Sequence, residues 1–152
     1  MIKKVKSKNI LYLPAHYDPT LRRFQDENEG PTKNLFSLQE VLFFVFPPEI
    51  SPKYNTIANR FINLLIQKNG ELYSTDIAEF VRNNSISKAT FYNRVLVKLR
   101  AFGLIKIERE FSDINKKSRK LKITISKTFG NYLNKIGDSW LAIVDEVRSR
   151  RQ

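Results

Sequence analysis

The sequence predicts a mainly helical α+β domain: helices around a small β-hairpin, one extra helix ahead of the domain and a long one behind it. Three observations lead there. Apolar residues recur at three- and four-residue steps in separate stretches, the mark of helices with one buried face. Two stretches, 104–111 and 121–126, alternate apolar with polar residues, the period of a half-buried strand, and a basic segment joins them. Gly, Pro or a polar break closes the helical patterns where the chain must turn.

The 152 residues suit one compact domain with appendages. Residues 1–34 read as a basic, largely irregular segment, with Lys3, Lys4, Lys6 and Lys8 at its start and a polar Gly-Pro loop over 27–34. Residues 35–52 hold an apolar element and a Pro-rich linker. Ser37 and Glu40 have the spacing of a capping box ahead of Val41–Phe46, and Pro47-Pro48 stops the run. Periodicity alone leaves this a helix of about ten residues or a buried strand; the capping box favours the helix.

Residues 53–127 form the main domain. Ile57, Phe61, Leu64, Leu65 and Lys68 make the stripe of its first helix, and Gly70 ends it. Glu71–Tyr73 is a short extended piece. A second helix follows, capped by Ser74 or Thr75, with Asp76 and Glu79 in its first turns and Ile77, Ala78 and Val81 inward. After Asn83-Asn84, Ser87 caps a third helix that runs to Gly103. Phe91, Val95, Leu99 and Phe102 form its buried stripe, while Lys88, Thr90, Asn93 and Arg94 lie off it. Ile105, Ile107 and Arg109 then alternate with Lys106, Glu108 and Glu110. A basic turn over 112–120 leads to Leu121, Ile123 and Ile125, which return as the second strand. In residues 128–152, Phe129, Tyr132, Leu133, Ile136, Trp140, Ile143, Val144 and Val147 form one long helical stripe, interrupted by Gly137.

Charge narrows the function. The chain carries a net +12 with a pI near 10.0. Between Ser87 and Lys127, twelve Lys or Arg stand against three acids, a net +9. So concentrated an excess points to a polyanion, nucleic acid or an anionic membrane surface. The longest apolar run, Val41–Phe46, is far below the roughly 20 residues of a membrane span, and "ILYL" is too short for a secretion signal. A cytoplasmic, nucleoid-associated protein with no membrane partner is expected. Catalysis is not: there is no cysteine, the single His16 sits in the irregular N-terminus, and no Gly-rich phosphate loop or carboxylate cluster is present. No metal or cofactor is expected either.

The order helix, short strand, helix, polar turn, capped helix, strand, basic loop, strand resembles the winged helix-turn-helix family of DNA-binding domains. "TDIAEFV", "ISKATFYNRVLVKLRAFGLIK" and the hairpin from Leu104 to Ile125 carry the resemblance. "ISKTFGNYL" is similar to the start of the last helix in MarR- and PadR-like transcriptional regulators. The likeness spans roughly residues 53–136. Thr90 to Gly103 is one residue longer than the commoner spacing of the family.

The resemblance implies double-stranded DNA as the partner, with helix 87–102 in the major groove and the hairpin as a wing on the backbone. Lys88, Thr90, Asn93 and Arg94 then suit base edges. Ser87 and the helix N-terminus suit a phosphate. Tyr92 either touches DNA or packs at the surface. Lys116, Lys117, Ser118, Arg119 and Lys120 suit phosphate or minor-groove contacts. Lys98 and Arg100, near the helix end, are expected to face solvent.

The C-terminal stripe is wider than a small domain needs. It either folds back on its own core or, the preferred reading, pairs with a second copy through Tyr132, Leu133, Ile136, Trp140, Ile143, Val144 and Val147, helped by Val41–Phe46. The function expected is a homodimeric, sequence-specific transcriptional regulator. The alternatives are a plasmid or viral replication or partition protein, or a winged-helix protein-interaction module, against which the wing charge argues. The sequence names no operator and no small-molecule effector.

Overall fold

Ser37 opens the first long helix. The computed structural model describes residues 9–24, 35–112 and 115–151, and of 22–24, 110–112 and 115–119 the backbone alone. Its Ser37 hydroxyl accepts from Glu40 N at 3.3 Å, and Glu40 Oε1 accepts from Ser37 N at 3.2 Å. Both orphan donors are met, so the apolar run is helix α1 (Leu38–Val45) rather than a strand. Leu42, Val45 and Phe46 are fully buried in the chain's own core, and the rest of Val41–Phe46 is half-buried. Ahead of it, Tyr12 N donates to Phe44 O at 2.8 Å, Leu11 packs on the core, and a 3-10 turn covers Pro19–Phe24. The basic tail 3–8 and the loop 27–34 lie outside the described residues.

Helix α2 (Pro52–Gln67) begins on a proline, whose missing N–H is no loss in a first turn. It buries Ile57, Ala58, Phe61, Ile62 and Leu65. Gly70 ends it with φ +87°, and a Cβ there would stand 2.8 Å from Ile125 Cγ2. Strand β1 (Glu71–Tyr73) follows, then α3 (Ser74–Asn83). Ser74 is not the cap. Tyr73 holds that position, and Asp76 Oδ2 accepts from Tyr73 N at 3.0 Å. The Ser74 hydroxyl instead accepts from Leu121 N at 2.8 Å and so ties α3 to the sheet. The inner face of α3 is Ile77, Phe80 and Val81; Ala78 is exposed. Phe80 moves inward because it completes an aromatic cluster. Its ring lies 5.5 Å from Phe61 and 5.7 Å from Phe91, and those two are 5.1 Å apart. One cluster thereby joins three helices.

The third domain helix, α4, is continuous through Lys88–Thr90, Phe91–Leu96 and Val97–Ala101, and its middle segment has π-type hydrogen bonding. Phe91, Val95 and Leu99, four residues apart, are all fully buried. On a plain α-helix each such step drifts by about 40°. The wider π turn offsets that drift and takes up one extra residue, which accounts for the long Thr90–Gly103 spacing. Gly103, with φ +79°, turns the chain into β2 (Ile105–Ser112).

β3 (Asn115–Ile125) pairs with β2 on one side and β1 on the other, giving a three-stranded antiparallel sheet in the order β1-β3-β2. Leu72 stands opposite Ile123, and Ile123 opposite Ile107; Leu72 and Ile123 are fully buried. The hairpin is longer than expected. Residues 112 and 115–120 belong to its strands, not to a turn, with Glu110 opposite Lys120, Phe111 opposite Arg119 and Ser112 opposite Asn115. The ladder slips between Phe111 and Ser112, a bulge on the arm that carries the cations. This part of β3 has no apolar alternation in sequence, so nothing in its pattern marks it as a strand.

The last helix, α5 (Thr128–Ser149), buries none of its residues. It is held at its start. Phe129 N donates to Gly103 O at 2.9 Å, and the Phe129 and Phe102 rings meet edge-on at 6.5 Å. A Cβ on Gly103 would stand 2.7 Å from Thr128 Cβ, so glycine also lets the end of α4 and the start of α5 approach. Beyond that turn α5 leaves the core. The alternative of a helix folded back on its own domain is not what forms.

Candidate nucleic-acid interface

The N-terminus of α4 is built by Ser87. Its Oγ accepts from Thr90 N at 3.1 Å and donates to Thr90 Oγ1 at 2.7 Å. Thr90 is half-buried and its hydroxyl serves this cap, while Ser87, Lys88, Asn93 and Arg94 are exposed. Tyr92 is also exposed, with its ring edge-on to Phe91 at 5.2 Å. The core thus fixes one side of Tyr92 and presents the other.

A groove of about 350 Å³ runs between α4 and the hairpin, lined by Tyr92, Asn93, Leu96, Val97, Arg100, Ile107, Arg109 and Leu121. Its floor is apolar, its rim carries two guanidinium groups, and it has no acidic residue. Arg100 and Arg109 were not among the sequence-based candidates for base contact. The signals were present. Arg100 lies seven residues, two helical turns, after Asn93 and so on the same face. Arg109 follows Ile105 and Ile107 in the strand alternation, so it shares their side of the sheet. Glu108 falls on the opposite side, where the register sets it against Lys122.

Lys98 does not face solvent. Its ammonium donates to Val45 O, at the end of α1, at 2.5 Å and lies 4.8 Å from the Phe46 ring centroid. Burial pushes its pKa below the ordinary lysine value. Lys122 is also engaged within the domain, 3.7 Å from the Glu71 carboxylate. Two of the twelve cations therefore serve the fold. By contrast, no ion pair among the described residues engages Lys88, Arg94, Arg100, Arg109 or Lys120. Lys116, Lys117, Ser118 and Arg119 belong to the β3 strand, Arg119 opposite Phe111 and the other three in the slip of the ladder; their side chains lie outside the described residues.

On α5, Tyr132, Leu133, Ile136, Trp140, Ile143 and Val147 are exposed and Val144 is half-buried. Among the described residues no cluster of His, Asp or Glu is suited to a metal ion, and no helix is long and apolar enough to cross a membrane. Comparison of the chain with protein-family models, with curated proteins and with solved structures gives no match.

Proposed function

We propose that the domain is a winged helix-turn-helix that binds double-stranded DNA sequence-specifically, and that the chain acts as a homodimeric transcriptional regulator. The observation that carries this reading is the groove between α4 and the hairpin, with Arg100 and Arg109 on its rim and no acid in its lining. A guanidinium left without a carboxylate is a ready donor to phosphate or to a guanine edge. The capped start of α4 presents Lys88, Asn93 and Arg94 beside that groove, where a major-groove helix would use them. The β3 arm bears Lys116, Lys117, Arg119 and Lys120, the charge that a wing lying on the backbone would use. The exposed stripe of α5 supports association with a second copy.

A binding titration at several salt concentrations tests the reading. Neutralising about six phosphates per subunit gives a slope of log K against log salt of about −5. Absence of binding, or a slope near zero, removes duplex DNA as the partner and favours a protein ligand for the same groove.

A further inference from the structure

The outer face of α5 specifies how it would be covered. Phe129, Leu133, Ile136, Trp140, Ile143 and Val147 follow one another at steps of 4, 3, 4, 3 and 4, the a/d repeat of a coiled coil. Trp140 is 63% exposed and Ile136 57% in the single chain. Gly130 and Gly137 lie one heptad apart on the flank of this stripe. Among the described residues, and apart from the helix's own backbone, nothing comes within 4 Å of where a Cβ on either would sit. Glycine is a poor helix former, and no contact among the described residues calls for it at either position. A second helix approaching along that flank would.

We infer that α5 pairs antiparallel with α5 of a second copy, crossing near residue 138, with Gly137 and Ser139 beside the two-fold axis. The inference rests on the homodimer proposed above and specifies its geometry. About that midpoint every layer of the stripe finds a partner: Phe129 meets Val147, Leu133 meets Ile143, and Ile136 meets Trp140. Each layer sets one side chain against a different one, and Gly137 faces its own mate where the backbones come closest. A parallel pair is worse on three counts. It stacks Trp140 on Trp140, and it sets Arg150, the next residue of the repeat, against Arg150. It also gathers Arg148, Arg150 and Arg151 of both chains at one end, three cations per chain beside Asp145 and Glu146, the latter 2.6 Å from Arg150 of its own helix. Antiparallel pairing places the two arginine groups at opposite ends and opposes the helix dipoles.

The arrangement also has a consequence for DNA. Twenty-two residues make a helix about 33 Å long. Each domain is tied to the start of its α5 through Gly103 and Phe129, so an antiparallel pair holds the domains at opposite ends, their attachment points about 30 Å apart. One turn of DNA is about 34 Å, the usual separation of half-sites read by a two-fold dimer.

The chain has no cysteine, so single cysteines report the pairing directly. Full-length Ser139→Cys and Leu133→Cys proteins are treated with a short bis-maleimide and run on a denaturing gel, with sedimentation in parallel. Antiparallel pairing predicts that S139C links to its mate and L133C does not, because the two Leu133 positions lie about 15 Å apart along the axis. Linkage of L133C without S139C overturns the orientation and leaves a dimer. A dimer in which neither links assembles through another surface and overturns the inference. A monomer overturns both the inference and the homodimer. Cross-linking as expected in a protein with no affinity for DNA leaves the pairing standing and removes the function proposed above.

Discussion

Helices α4 and α5 carry the same kind of message in sequence and meet opposite fates. Each has a capped or anchored start and an apolar stripe at helical spacing. In α4 the stripe is spent inside the domain: Phe91, Val95 and Leu99 are fully buried. In α5 it is left in water, with Ile143 still 52% exposed. Periodicity states that a face must be covered; it does not state by what. The difference lies in what surrounds each helix. The stripe of α4 faces Phe61 and Phe80, which supply matching aromatic surface from α2 and α3. The sheet and helices α1–α4 have already enclosed that core when the chain reaches Thr128, and of the α5 stripe Phe129 alone packs against it.

The comparison predicts separable failures. Phe91→Ala removes the ring at the centre of the aromatic cluster and should lower domain stability by about 3–5 kcal/mol, with loss of every function, as read by denaturant unfolding. The double change of Trp140 and Ile143 to Glu should leave that unfolding transition almost where it was and give monomers in sedimentation. Binding to a two-half-site DNA should weaken as well, since the halves are no longer linked. If the double variant unfolded the domain instead, α5 would belong to the core and the contrast between the two helices would be false.

The same contrast explains how far the sequence could be read. The capping box at Ser37, the stop at Gly70, the cap at Ser87 and the turn at Gly103 rest on local rules, and each is where the residues place it. Positions decided by distant neighbours were not legible. Phe80 outcompetes Ala78 for the inner face of α3 because Phe61 and Phe91 wait there. Ser74 leaves its helix to bond Leu121, 47 residues on. Lys98 turns to the end of α1, 53 residues before it. The distal hairpin has no apolar alternation in its sequence, so its strands carry no period to detect. Within the candidate site, the cap and the outward residues Lys88, Asn93 and Arg94 came from the helical pattern; Arg100 shares that pattern, but it belongs to the site because the hairpin forms the groove's other wall.

A smaller effect sharpens the division between reading and holding. Asn93→Ala should cost about 1–3 kcal/mol on a preferred site and little on random DNA, because a base-edge contact discriminates. Changing Lys116, Lys117, Arg119 and Lys120 together to Ala should weaken all sequences alike and flatten the salt slope. Arg100→Ala and Arg109→Ala place the groove between these limits. Loss confined to the preferred site assigns its rim to the bases, and uniform loss assigns it to phosphate. Competition binding with a selected and a scrambled duplex makes the measurement. Equal losses for all of these variants on both duplexes would show that α4 is not the reader.

Lys98 gives the smallest expected change and the clearest sign. It is the one cation of α4 that the fold itself uses, so its loss should touch stability and spare DNA affinity. Lys98→Met keeps the aliphatic stem against Phe46 but removes the hydrogen bond to Val45 O. It also removes the penalty of holding a charge at a half-buried site. These terms oppose each other, and the net change at neutral pH should stay within about 1 kcal/mol. The pH dependence is more telling. Burial depresses the ammonium pKa in the folded chain, so the unfolded chain holds this proton to a higher pH than the folded one does. Over the interval below the ordinary lysine value, where the folded group has begun to lose its proton and the unfolded one has not, the unfolded state binds more protons. Raising pH there stabilises the fold. The unmodified protein should therefore gain stability relative to Lys98→Met as pH rises toward about 10. Paired thermal melts across that range decide it. A difference that does not move with pH would place Lys98 in solvent with the other cations of α4.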